Sequence, residues 1–105
     1  IINKEDELIS GSDDSTIRIW NMKTWQWIRT LKGHERRINK LILNNENELI
    51  SGSDDNKIMI WNMNSEVSTK TLKGHLKPVT SLVINNENEL ISGSEDKTIK
   101  FWDMK

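Results

Sequence analysis

"ELISGSDD" spans residues 7–14, returns unchanged at residues 48–55, and follows as "ELISGSED" at residues 89–96. The step between copies is 41 residues each time. The same step relates Gly11, Gly52 and Gly93, relates Trp20, Trp61 and Trp102, and carries Gly33-His34 onto Gly74-His75. Laying residues 31–64 on residues 72–105 gives 19 identities in 34 positions with no insertion. A phase held by several residue types at once marks an internal repeat. A period of this length is one supersecondary unit that stacks on its neighbours. The chain holds about two and a half periods, beginning and ending inside a repeat.

Within one period the pattern is strand, turn, strand. "INKLIL" (Ile38–Leu43) is short, apolar and rich in β-branched residues, which predicts a strand. "NNEN" (residues 44–47) reads as a turn, because asparagine tolerates left-handed backbone. "ELISGS" (Glu48–Ser53) predicts a second strand, "DDNK" a tight turn, and the alternating "KIMIW" (residues 57–61) a third strand. A more polar fourth strand is expected over residues 66–72. The glycines of "ISGS" are expected to permit close packing within the strands. No segment keeps a helical period, so the fold class is all-β. Four short antiparallel strands in roughly 40 residues cannot bury both faces alone, whereas sheets stacked around an axis can.

Composition narrows the function. The formal net charge of −1 comes from 15 basic and 16 acidic residues, well mixed. That balance gives no electrostatic case for a nucleic-acid or membrane-surface partner. No apolar run approaches the roughly 20 residues of a membrane-spanning helix. With no cysteine there is no disulfide framework and no thiolate chemistry. A cytoplasmic location is the expectation, with cytoskeletal or nuclear ones as alternatives.

Serine, histidine and aspartate recur in the repeat, and they are also the parts of a hydrolase triad. An active site needs one preorganised constellation, however, not three copies at a fixed step. The residues therefore read as structure, the chain as no enzyme, and the catalytic set as none. Two histidines 41 residues apart, without cysteine, lack metal-ligand spacing. The "DD" pairs lack the alternate acidic positions of a calcium loop. No metal and no cofactor are expected.

The succession Gly-His, apolar strand, "LISGSxD" and "xIxxW" followed by Asn or Asp resembles the WD-repeat β-propeller family over essentially the whole chain. Trp102-Asp103 keeps the family's terminal pair, while Trp20-Asn21 and Trp61-Asn62 depart from it conservatively. The resemblance implies blades of four antiparallel strands. One is complete over residues 32–72, flanked by partial blades at residues 1–31 and 73–105. It also implies a hydrogen-bonded chain in each blade: Trp61, Ser51, His34 and Asp55 in one, Trp102, Ser92, His75 and Asp96 in the next. The first blade has Trp20, Ser10 and Asp14 but no Gly-His before them, so an incomplete chain is expected there.

Function is then expected on the surface, where the copies differ. By the same resemblance, Arg37, Asn39 and Asp54 of one blade, Pro78, Thr80 and Glu95 of the next, and Asp13 of the first line a face that receives peptides. Its acidic rim favours a basic segment, while Arg36 and Arg37 oppose a uniform field. "TWQWIRTL" adds Trp25 and Trp27, expected two apart on one face of an outer strand and a candidate contact for another protein. The function expected is a non-catalytic scaffold for protein–protein interactions in a multi-subunit complex. Two alternatives stand beside it. One is the regulatory propeller of a larger enzyme whose catalytic domain lies elsewhere; the other is a packing element of a filament or ciliary-type complex. A propeller closes with roughly four to eight blades, so this chain is expected to be part of a longer one, or to assemble with copies of itself.

Overall fold

The computed structural model describes residues 1–63, 65 and 67–104. Ten strands form three antiparallel sheets. The first sheet is β1 (Glu7–Gly11), β2 (Ile17–Asn21) and β3 (Trp27–Leu31) in that order. The second is β4 (Ile38–Leu43), β5 (Glu48–Ser53), β6 (Ile58–Asn62) and β7 (Ser68–Leu72), again in chain order. The third is β8 (Val79–Ile84), β9 (Glu89–Ser94) and β10 (Ile99–Asp103). Ile2 bridges to Leu8 at the free edge of β1. The sheets are meanders and do not close into a ring. The third strand of the repeat starts one residue later than its alternation suggests. The fourth begins at Ser68, with Val67 outside it, and the expectation at Glu66 lies outside the described residues.

The turns follow from asparagine chemistry. Asn3, Asn44 and Asn85 each accept two backbone N–H bonds on Oδ1 and donate through Nδ2 to Glu7, Glu48 and Glu89 at 2.7–2.9 Å. Asp6, Asn47 and Asn88 then turn the chain with φ near +57 to +60°. The first asparagine thus acts through its side chain. The left-handed residue is the fourth of the turn.

Strand alternation gives each sheet two unlike faces. One face carries a ridge of β-branched residues: Ile9, Ile17 and Ile19 in the first sheet, Ile50, Ile58 and Ile60 in the second. The other carries the tryptophan and the first "SGS" serine. The ridge of the first sheet packs with Leu31 on Leu49, Met59, Trp61 and Met63 of the second. The ridge of the second packs on Val79, Leu82 and Leu90, with Trp102 beside them. The core is therefore two slabs between three sheets.

The glycines serve these slabs. A Cβ on Gly11 would lie 2.6 Å from Ile38 Cγ2, and one on Gly52 would lie 2.8 Å from Val79 Cγ1. Both neighbours belong to the following sheet. The close approach that glycine allows is between sheets, not within a strand as its position in "ISGS" suggests.

Candidate functional site

The repeated polar residues meet in the gap between sheets. His34 precedes β4 and points back into the second sheet. Its Nδ1 is 2.8 Å from Asp55 Oδ2 and its Nε2 is 2.7 Å from Ser51 Oγ. Trp61 Nε1 donates to the same serine oxygen at 2.8 Å. One protonation pattern satisfies all four groups. The indole donates to serine, the serine hydroxyl donates to Nε2, and Nδ1–H donates to the carboxylate. Burial holds the His34 pKa below its ordinary value, against the pull of the Asp55 hydrogen bond, so the neutral ring this pattern needs is the favoured one. Burial pushes Asp55 up, but the Glu35 amide and the His34 ring outweigh it and hold the carboxyl below its usual range.

The third sheet repeats this geometry. His75 lies 2.8 Å from Asp96 and 2.7 Å from Ser92, and Trp102 donates to Ser92 at 2.8 Å. The Thr98 hydroxyl bonds Asp96 closely and, with His75, holds that carboxyl well below the usual range despite desolvation. In the first sheet Trp20 donates to Ser10 at 3.1 Å, but Asp14 turns to the Thr16 hydroxyl at 2.5 Å and to Arg18 at 3.2 Å. The Thr16 bonds hold Asp14 below its usual range.

Serine on Nε2 and aspartate on Nδ1 is the wiring of a hydrolase triad. Here Ser51 and Ser92 are fully buried and each holds an indole N–H, so no substrate atom reaches either oxygen. Among the described residues no cluster of three or more His, Cys, Asp or Glu could hold a metal ion.

The second serine of "SGS" belongs to the same construction, although the motif assigned it nothing. Ser53 donates to the Arg37 carbonyl at 2.8 Å and accepts from the Asp55 amide at 3.1 Å. Ser94 does likewise with Lys77 and Asp96. Its invariance at the 41-residue step was the available signal.

At one end of the sheets a second polar cluster is exposed. Asn39 and Thr80 are the extra residues of β-bulges, where β4 and β8 skip a partner on β5 and β9. A bulge re-aims the side chain it carries. Asn39 Nδ2 thus reaches Asp54 at 2.7 Å and the Val79 carbonyl of the next sheet at 3.0 Å. Arg37 Nε donates to Asp54 at 3.0 Å, and its Nη1 lies 3.8 Å from Asp13 of the first sheet. The Asn39 and Arg37 hydrogen bonds hold Asp54 below its usual range, and Asp54 in turn raises Arg37. Asp13, Arg37, Asn39 and Asp54 are therefore one cluster. Pro78 accepts the Glu95 amide at 3.1 Å, and Thr80 donates to the Gly93 carbonyl. These three lie at the matching place of the third sheet.

Trp25 and Trp27 are 64% and 59% exposed. They do not share a strand face. Trp27 opens β3, whereas Trp25 precedes it in a turn with φ +59°, closed by its own amide on the Asn21 carbonyl at 2.7 Å. Period-two spacing applies only inside a strand, so it cannot relate the two rings.

Residues 2–21, 25–62 and 66–103 match the family described as WD domain, G-beta repeat. These segments cover nearly all of the chain, and the chain belongs to that family. Its members are generally non-catalytic and generally bind other proteins. The matches 25–62 and 66–103 each take in the outer strand of one sheet and end on the third strand of the next, so the repeat of the sequence is out of phase with the sheets. A stretch of 32 residues is 47% identical to Protein MAK11 of Saccharomyces cerevisiae (strain ATCC 204508 / S288c). The stretch is 30% of this chain and spans 8% of that protein.

Proposed function

We propose that this WD-repeat segment is a docking scaffold, with residues 1–31, 32–72 and 73–105 as blade units of one propeller domain. A segment of another protein settles on the end that carries Asp13, Arg37, Asn39, Asp54, Pro78, Thr80 and Glu95. The observation that carries this reading is the bulged Asn39. Its amide, with Arg37, gathers polar side chains from neighbouring sheets into one exposed cluster. Because Arg37 already bridges Asp13 and Asp54, the favoured ligand presents mixed polar and basic groups rather than a run of lysines.

The exposed Trp25 and Trp27 support a second contact surface on the same scaffold, since tryptophan concentrates binding energy. Separate substitutions distinguish the two. Partners held by the wild-type protein in its native assembly are released by Asn39→Ala with Asp54→Ala if the cluster is the docking end. They are released by Trp25→Ser with Trp27→Ser if the outer surface is. Retention of every partner by both double variants would sink the docking reading.

A further inference from the structure

A groove of about 490 Å³ lies on the docking end, in the gap between the second and third sheets. The turn between β5 and β6, with residues 35 and 36, lines one side. Leu76, Lys77 and Pro78, just ahead of β8, line the other. The two sheets that form these walls pack directly on each other. The gap between the first and second sheets differs at the matching place. There Arg37 spans it, with Nη1 3.8 Å from Asp13. At the 41-residue step Asp13 becomes Asp54 and Arg37 becomes Pro78. Proline has no side-chain donor, so no such pair crosses the second gap.

Three carboxylates and three cations line the groove, and they are not equally engaged. Glu35 takes Lys57 at 3.0 Å, Asp54 takes Arg37 at 3.0 Å and Asn39 at 2.7 Å, and Asp55 takes His34 at 2.8 Å. Among the described residues, no carboxylate lies within 4.0 Å of the charged groups of Arg36 or Lys77. Arg36 acts on Asp54 only at longer range, where it helps to lower that carboxyl. Leu76 stands beside these cations, 81% exposed, where the preceding repeat has Glu35.

We propose that this groove receives one carboxylate of the docked segment: an Asp or Glu that faces Arg36 and Lys77, with an apolar neighbour laid on Leu76 and Pro78. The inference rests on the docking reading above and adds to it the chemistry of the ligand, which carries one acid besides its basic and polar groups. Two unpaired cations attract an anion. The carboxylates of Glu35, Asp54 and Asp55 in the same groove repel further negative charge. A single carboxylate is therefore favoured over a phosphate group or an acidic run. Arg36 and Lys77 are exposed, so each charge pair contributes modestly and salt weakens it.

The test is selection from a random peptide library displayed on phage, with the intact protein as bait. Selected peptides are expected to carry an Asp or Glu next to an apolar residue. They are then made with a fluorescent label and titrated by polarisation. Arg36→Gln with Lys77→Gln is expected to weaken binding by roughly fivefold or more, and so is exchange of the peptide's acid for its amide. Arg36→Glu with Lys77→Glu is expected to select Lys or Arg at that place instead. A thermal melt checks that each variant keeps the wild-type midpoint, and the single substitutions replace a double variant that unfolds. Peptides that ignore Arg36→Gln with Lys77→Gln but are released by Asn39→Ala with Asp54→Ala overturn the groove and leave the docking end standing. Tighter binding when phosphoserine replaces the acid overturns the single carboxylate. Selection of no peptide that responds to either pair of substitutions overturns both readings.

Discussion

Covered and open faces of this molecule carry the same residue types, and those residues behave differently. Trp61, on a covered face, has no exposed surface. Trp20, 41 residues earlier on an open face, keeps part of its ring in water. Both donate to a serine, but only the serine of Trp61 passes the bond on to a histidine. Asp55 turns inward to that ring, while Asp14 turns outward to Thr16 and Arg18. Tryptophan, serine and aspartate at the right spacing thus make the indole–serine bond and no more. The full network forms where a second sheet closes the gap and a histidine enters it.

The largest expected effect tests that contrast. Trp61→Ala should lose about 3–5 kcal/mol of unfolding free energy, because it empties a filled slab and leaves Ser51 without its donor. Trp20→Ala should lose about 1 kcal/mol, since part of its surface already meets water. Urea unfolding of the two variants measures both. Equal losses would break the comparison at its root.

Gly11→Ala and Gly52→Ala come next. Each should lose about 1–3 kcal/mol by overpacking, since the new methyl meets Ile38 or Val79 close to the branch of its side chain. Gly93→Ala on the open ridge should lose less, because only the rotatable Ser81 hydroxyl stands in the way. Thermal unfolding ranks the three. A Gly93 variant as weak as the Gly52 variant would mean that the strand, not the sheet interface, requires glycine.

That ranking shows how far the sequence could be read. The 41-residue step and the short apolar runs of "INKLIL" and "ELISGS" between turn residues yielded β4 and β5 to the residue, because β-branched runs bounded by turn chemistry form strands. The members of the buried network could be named by resemblance, since each recurs at the same step. Relations between elements were not legible. "ISGS" does not say whether its glycine faces a neighbour in the strand or the next sheet. Asn39 looks like any strand residue until the register with β5 shows the bulge that aims it across sheets. Trp25 has the spacing of a strand residue, but the Asn21 turn holds it in left-handed backbone, a conformation that local propensity disfavours for a bulky side chain.

The smallest expected effect is a dependence on pH, and it separates the covered from the open carboxylate. Burial lowers the His34 pKa from the ordinary 6.5, so the folded protein refuses a proton that the unfolded chain accepts. The stability that His34 contributes is full above that ordinary value. It is lost as the pH falls through it toward the folded value. Asp55 acts in another window. Its folded pKa lies below 3.8, so its contribution is full above 3.8 and fades only in stronger acid. The urea midpoint of the wild-type chain should therefore decline as the pH falls from neutral through 6.5. His34→Gln should lower the neutral plateau and flatten that decline. Asp14→Asn should leave the same slope untouched, because Asp14 has no histidine partner and, like Asp55, titrates in the acidic window. An unchanged slope in His34→Gln would mean that water reaches the imidazole. The gap between the first two sheets would then be open, and the distinction between covered and open faces would not hold.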